Sequence, residues 1–440
     1  MKKNFWKRLG KRVAVVALAA GATFMLAACS SSSNGSSSGK DVKITILQGK
    51  VENNKQFKQI AKDYEKSHPN VKIEVTSIGG GTQYDPVLKT RISSGNAPTI
   101  FSLAGPADVQ QFKAHEADLS NTKAAKAAQP GTLDAVKSNG KTVGLPFNVE
   151  GYGLVYNKKV FEKAGIDPNS LTTMDSLEAA IKQLDSQKSE LGIKGVFATP
   201  GKEAWVFSDH LANLYLAQDF NGNAQKLYKS KTMPFTKAND MKTMIDLEKD
   251  YSIKPIMQLD YSAQVNQYFS QGKAAMIQQG DWIYPTVEGI DKDFAKNDIG
   301  MIPIPVPGEE GKMPVGTSLY WAVNSQKSTQ EQKAAKNFLD WMYTSKEGKK
   351  QVVNTLHFVP AYKGYDNFKM GDPLTSAVFE YSQAHKTTGW AFPGYTGTSW
   401  DPDVAQPNLQ KYLSGKQSWD KTVQNMKDGW AKQQKSSNNK

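Results

Sequence analysis

Hydrophobic and polar positions alternate along the early chain with two different periods. Val42, Ile44 and Ile46 recur at every second residue over 41–47, which predicts a strand with one buried face. Phe57, Ile60, Ala61 and Tyr64 then share one face of a helix that stops at Pro69-Asn70. Val71, Ile73 and Val75 predict a second strand ending in the loop 79–81, and Tyr84, Val87, Leu88 and Ile92 a second helix stopping near Gly95. Residues 99–103 read as a third strand. This alternation predicts a mostly parallel sheet covered by helices. Ligands of such sheets sit beyond the carboxyl ends of the strands. That rule marks 48–52 with Gln48 and Lys50, 79–82 with Gly80, and 102–106 with Ser102 and Gly105.

The pattern changes at 145–158, LPFNVEGYGLVYNK, where two short extended runs flank a polar break. Pro146 biases Leu145 towards extended backbone, Gly151 and Gly153 flank Tyr152, and Leu154, Val155 and Tyr156 read as a buried strand. Asn148 and Glu150 occupy the break. Two readings fit: a passage between two lobes around a wet cleft, or a plain strand-turn-strand with an exposed glutamate.

Helical spacing returns in Leu177, Ala180, Ile181 and Leu184, in 204–216 with Trp205, Phe207, Leu211 and Leu214, and in Met241, Met244 and Ile245. Residues 195–199 and 274–277 read as strands, the second following Gly272 as a helix C-cap and leading into Gly280-Asp281-Trp282. The proline-punctuated 301–306 reads as a connector, with the chain returning to a first lobe near Gly300. Residues 318–324 predict a further strand, and Ser328 with Glu331 a capping box for the helix carrying Ala335, Phe338, Leu339 and Met342. A second return is placed near 357–361.

The N-terminus changes the compartment. Six basic residues and no acid fall within 2–12, followed by an apolar run over 13–28 and the chain's one cysteine, Cys29. This is a secretory signal, and Leu26-Ala27-Ala28-Cys29 resembles a lipobox whose cysteine is lipidated. An ordinary signal peptide that happens to contain a cysteine is the plainer alternative. Removing those six basic residues lowers the formal charge from +13 to +7. The remaining lysines are scattered without an arginine-rich block, which disfavours nucleic acid as a partner. Without another cysteine the folded part has no disulfide framework, thiol nucleophile or thiolate metal site. Residues 30–40 form a serine-rich tether, and about 400 residues of ordinary composition suggest two domains.

Enzyme signatures are missing. The G-x-S-x-G match at 35–39 lies in the tether, and His68, His115, His210, His357 and His385 fall at no metal-ligand spacing. No metal and no cofactor is expected. Aromatic residues instead sit beside carboxylates: Glu203 with Trp205, Asp281 with Trp282, and Trp400 with Asp401, while Trp390 follows Gly389. A sugar ring offers an apolar C–H face to an aromatic plate and a fringe of hydroxyls to carboxylates and amides. The plainer alternative places these tryptophans in the core.

Four stretches taken together are similar to one family. LPFNVEGYGLVYNK, FSQGKAAMIQQGDW at 269–282, IPIPVP at 302–307 and the helix near 334–341 resemble, in order and spacing, the carbohydrate-binding extracellular solute-binding proteins of ABC importers. The resemblance implies a two-lobed, maltose-binding-protein-like α/β fold, each lobe a mostly parallel sheet flanked by helices, with the ligand cleft between. It places the first lobe at 41–149 and 300–355 and the second at 150–299 and 356–434, with a signal at 1–28, a tether at 29–40 and a polar tail at 435–440. It implies a lipid-anchored monomer on the outer face of the membrane that hands a mono- or oligosaccharide to permease subunits. Glu150 matches a family glutamate that contacts sugar, and Trp205, Trp282 and Trp400 match stacking aromatics. Trp390 and Gly316 complete the candidate contacts. Maltose-binding protein carries an aromatic and a charged pair where this chain has Ser102 and Gly105-Pro106, so a different ligand is implied. A same-fold binder of peptide, polyamine or phosphodiester, and a surface glycoside hydrolase using Glu150 and Asp281, are the competing readings.

Overall fold

The computed structural model describes residues 41–78, 84–392 and 400–437. Thirteen strands lie within them: β1 Val42–Gln48, β2 Val71–Ser77, β3 Ile100–Leu103, β4 Lys137–Ser138, β5 Lys141–Thr142, β6 Leu145–Pro146 and β7 Glu150–Asn157 in the first part of the chain. β8 Gly195–Phe197, β9 Ala274–Gly280, β10 Ile299–Ile302, β11 Met313–Gly316, β12 Tyr320–Val323 and β13 Thr387–Thr388 follow. The first sheet runs β2-β1-β3-β12-β6, with β2 and β3 parallel to β1 as the alternating pattern predicted, and β12 antiparallel to its neighbours. The second runs β13-β11-β7-β9-β8, with β10 also paired to β7.

The fold is a mixed α/β architecture of two sheet-containing lobes. The second sheet departs from the mostly parallel expectation: β9, β10 and β11 all run antiparallel to β7. Periodicity reports which residues of a strand are buried, not which way its neighbours run. Every residue of β7 is buried, and this explains its nearly unbroken apolar and glycine run. Gly151, Gly153 and Glu150 therefore lie inside a strand, and the joint between β6 and β7 shortens to 147–149, with Asn148 its one polar residue.

Each lobe keeps its own core. In the first, Phe147 stacks on Trp321 at 3.5 Å and Phe57 meets Trp321 edge-on at 5.4 Å. In the second, Phe207, Met241, Met244, Trp400 and Trp430 are buried together. The capping box at Ser328 forms as predicted.

Two crossings shift from their expected places. β10 and β11 pair with β7, so the chain rejoins the first sheet at Tyr320 and not near Gly300. Leu356, Phe358, Ala361 and Tyr362 pack in the first lobe's core, whereas Leu374 and Val378 pack with β7's surroundings, which moves the last crossing to between Tyr365 and Leu374. Apolar residues at a crossing suit either core equally, so only packing could assign them.

Candidate functional site

The end of β1 builds the first wall. The buried Gln48 side chain folds the following turn onto itself: its Nε2 donates to the Lys50 carbonyl at 2.9 Å, and its Oε1 accepts from the Lys50 N–H. So braced, the Lys50 ammonium reaches across to Glu150 at the start of β7 and lies 3.8 Å from Glu52. Ser318, just before β12, donates its hydroxyl to the other Glu150 oxygen. Burial pulls the Lys50 pKa down, but the charges of Glu150 and Glu52 outweigh it and the net direction is up. Glu52 is pushed above the usual carboxylate range by burial, only partly opposed by Lys50.

The second wall follows β9. Asp281, 2 % exposed, accepts the Gly151 N–H at 3.3 Å, and burial together with the Glu150 and Asp372 charges raises its carboxyl well above the ordinary range. The half-buried Trp282 anchors its Nε1–H on Gln279, which in turn donates to Gln264. Glycine admits the indole rings: a Cβ at Gly280 would lie 2.3 Å from the Trp282 ring, and one at Gly316 would lie 2.6 Å from that of Trp390. Between these walls a narrow cavity of about 10 Å³ is lined by Asn53, Asn148, Glu150, Asp281, Trp282 and His357. The helices Pro106–Phe112 and Ala224–Lys229 also meet across the lobes, so the cleft is closed.

Behind Trp282 lies an aromatic group centred on Tyr152 and His210. Their rings stack at 4.7 Å, with Trp282 5.2 Å from His210, Trp205 edge-on to it at 5.0 Å, and Trp390 5.7 Å from Tyr152. The Tyr152 hydroxyl donates to the His210 carbonyl and accepts from Asn213, which also holds the Ala391 N–H. Burial pushes the His210 pKa down to about 3, so the ring is neutral.

Of the residues expected from sequence, Glu150, Asp281 and Trp282 line the cavity, Lys50 is tied to it through Glu150 and Gln48 through Lys50, and Trp205, Trp390 and Gly316 join through the aromatic group. Glu203 accepts the Tyr261 N–H at 3.1 Å and braces the loop beneath Trp205. Ser102 and Gly105 do not line the cavity. Ser102 is buried within β3 opposite Trp321, with its N–H on the Tyr84 hydroxyl, and Gly105 precedes the helix Pro106–Phe112. Trp400 is a correction. It is fully buried, donates to the Met426 carbonyl at 2.8 Å and meets Trp430 edge-on, which makes it core. Its neighbouring carboxylate suggested a loop, whereas it stands at the start of a helical segment packed under the C-terminal helix. Gly80 and Cys29 lie outside the described residues.

Sequence reasoning overlooked Tyr152, His210, Asn213, Ser318 and His357 as parts of the site. The two histidines carry no local signal beyond their lack of metal-ligand spacing, and a glycine-flanked tyrosine gives no sign of the aromatic neighbours that long-range packing supplies. Among the described residues, no group of three or more His, Cys, Asp or Glu could hold a metal ion.

The sequence profile of the bacterial extracellular solute-binding protein family matches residues 49–349. The multiple sugar-binding protein of Streptococcus mutans is 24% identical over 360 residues, covering 76% of this chain and 79% of that protein. The melibiose/raffinose/stachyose-binding protein of Bacillus subtilis is 23% identical over 304 residues, covering 68% and 69%. Among solved structures, a chitin oligosaccharide binding protein superimposes with a TM-score of 0.73 at 24% identity, over 90% of this chain and 99% of that one. A raffinose-bound solute-binding protein gives 0.71 at 20% identity, over 89% and 99%.

Proposed function

The chain belongs to the bacterial extracellular solute-binding protein family, and from that premise we propose that it captures a saccharide between its lobes for delivery to an ABC permease. The observation that carries this reading is the meeting of Glu150 and Asp281 with the Trp282 indole on one interlobe cavity. Carboxyl groups suit the hydroxyl fringe of a sugar, and hydrogen bonds to a charged group are roughly twice as strong as neutral ones. The indole suits the C–H face. Relatives named for melibiose, raffinose, stachyose and multiple sugars support the ligand class. The same reading makes the protein a binder without covalent chemistry, a monomer, and a lipoprotein anchored through Cys29 on the outer face of the membrane. The two lobes would open to admit ligand and close by contacts that only the closed state completes.

A thermal-shift screen tests this directly. A saccharide present at about 100 times its dissociation constant stabilises the folded state by about 2.7 kcal/mol. At least one member of a panel spanning raffinose, melibiose, maltotriose and chito-oligosaccharides should raise the melting temperature. A panel without effect, alongside a clear shift with oligopeptides or polyamines, refutes the saccharide reading; released reducing sugar would make the protein a hydrolase instead.

A further inference from the structure

Glu150 and Asp281 share one cavity, yet their surroundings differ in kind. Both oxygens of Glu150 are engaged, one by the Lys50 ammonium and the other by the Ser318 hydroxyl. Asp281 is as deeply buried, but among the described residues no cation pairs with it. Among the described residues its one hydrogen bond comes from the Gly151 N–H to Oδ1, and Oδ2 has no protein partner. The charged groups nearby are Lys50, already paired with Glu150 and 3.8 Å from Glu52, and Asp372, which is held by His357 at 3.1 Å.

Ionising Asp281 would therefore bury a second negative charge beside Glu150 without a counter-ion. Two adjacent buried carboxyls facing one ammonium divide into an anion and an acid. Burial and the Glu150 charge push the Asp281 carboxyl in this same direction.

We propose that Asp281 acts in the cleft as a hydrogen-bond donor, a neutral carboxylic acid, while Glu150, held by Lys50, acts as the acceptor. The proposal rests on the saccharide reading and refines it. Hydroxyls both donate and accept, but ring and glycosidic oxygens only accept. Two carboxylates would repel the lone pairs of such an ether oxygen, whereas an acid beside a carboxylate binds a ligand edge where an ether oxygen neighbours a hydroxyl. The pair thus admits the ether oxygen of a cyclic glycoside, which two carboxylates would repel.

Infrared difference spectra of the unliganded protein at pH 7, with and without 13C-labelled aspartate, provide the first test. A protonated-carboxyl band should be present in the parent and lost in D281N, while the contribution of Asp108, a buried first-lobe carboxyl whose pKa burial raises to about 7, persists in both. If D281N removes no such band, Asp281 is ionised and the proposal is overturned. Calorimetric titration with raffinose and maltotriose provides the second. D281A should weaken binding at least tenfold, and D281N should recover most of that loss, because an amide still donates. Equal losses in the two variants overturn the donor role. If no saccharide binds although the band is present, the saccharide reading fails and the acid assignment stands; saccharide binding without the band is the converse.

Discussion

Glu150→Gln is the sharpest perturbation, because it removes a charge and almost nothing else. The amide keeps the shape of the side chain and an oxygen for Ser318, but it leaves the Lys50 ammonium in a nearly dry site. Both partners are buried, with side-chain exposures of 7% and 3%. Removing one member of a buried ion pair typically costs about 3–5 kcal/mol. Glu52, at 3.8 Å, retains part of the attraction, so about 2–3 kcal/mol is expected here. That penalty applies only while the ammonium stays dry. The lobes have separate cores, one around Trp321 and one around Trp400 and Trp430. Opening the cleft rehydrates Lys50 without unfolding either. The substitution should therefore enlarge the unliganded particle in small-angle scattering and shift the denaturation midpoint little. Saccharide affinity should fall roughly 30- to 100-fold, since each 1.4 kcal/mol is tenfold. A mutant as compact as the parent that loses the full 3–5 kcal/mol of global stability refutes the reasoning, because the pair would then lie in one rigid core.

Other outcomes separate site from scaffold. Trp282→Ala should cost about 2 kcal/mol of saccharide binding with little loss of stability, while Trp400→Ala should cost about 3–5 kcal/mol of stability with unchanged affinity per folded molecule; calorimetry and chemical unfolding distinguish the two. Glu248 is buried in the second lobe, and burial raises its pKa to about 8. The native state then holds a proton that the unfolded chain releases near pH 4.3, so this residue makes stability fall as pH rises from there to about 8 and level off above it. Glu248→Gln should remove that fall in urea titrations at pH 5, 7 and 8.5; an unchanged slope assigns the pH dependence elsewhere. Cys29→Ala should release the protein from the membrane fraction, and a mutant that stays bound contradicts the lipobox.

Much of this molecule was determined by local pattern. The two-residue period of 42–46 and 71–75, the helical faces at 57–64 and 177–184 and the Ser328 capping box depend on residues close in sequence, and all appear in the structure. The pairing of a carboxylate with an aromatic at Asp281-Trp282 was legible for the same reason. What only the tertiary structure decided depends on distant partners. Trp282 and Trp400 both stand beside an aspartate, yet one faces the cleft and the other lies under the helix Trp419–Ser437. The capture of β10 and β11 by the second sheet followed from pairing with β7, because backbone hydrogen bonds carry no mark in side-chain periodicity. Lys50 and Glu150 are 100 positions apart. The meaning of each charge, including which of two neighbouring carboxyls keeps its proton, exists only once folding has removed the water between them.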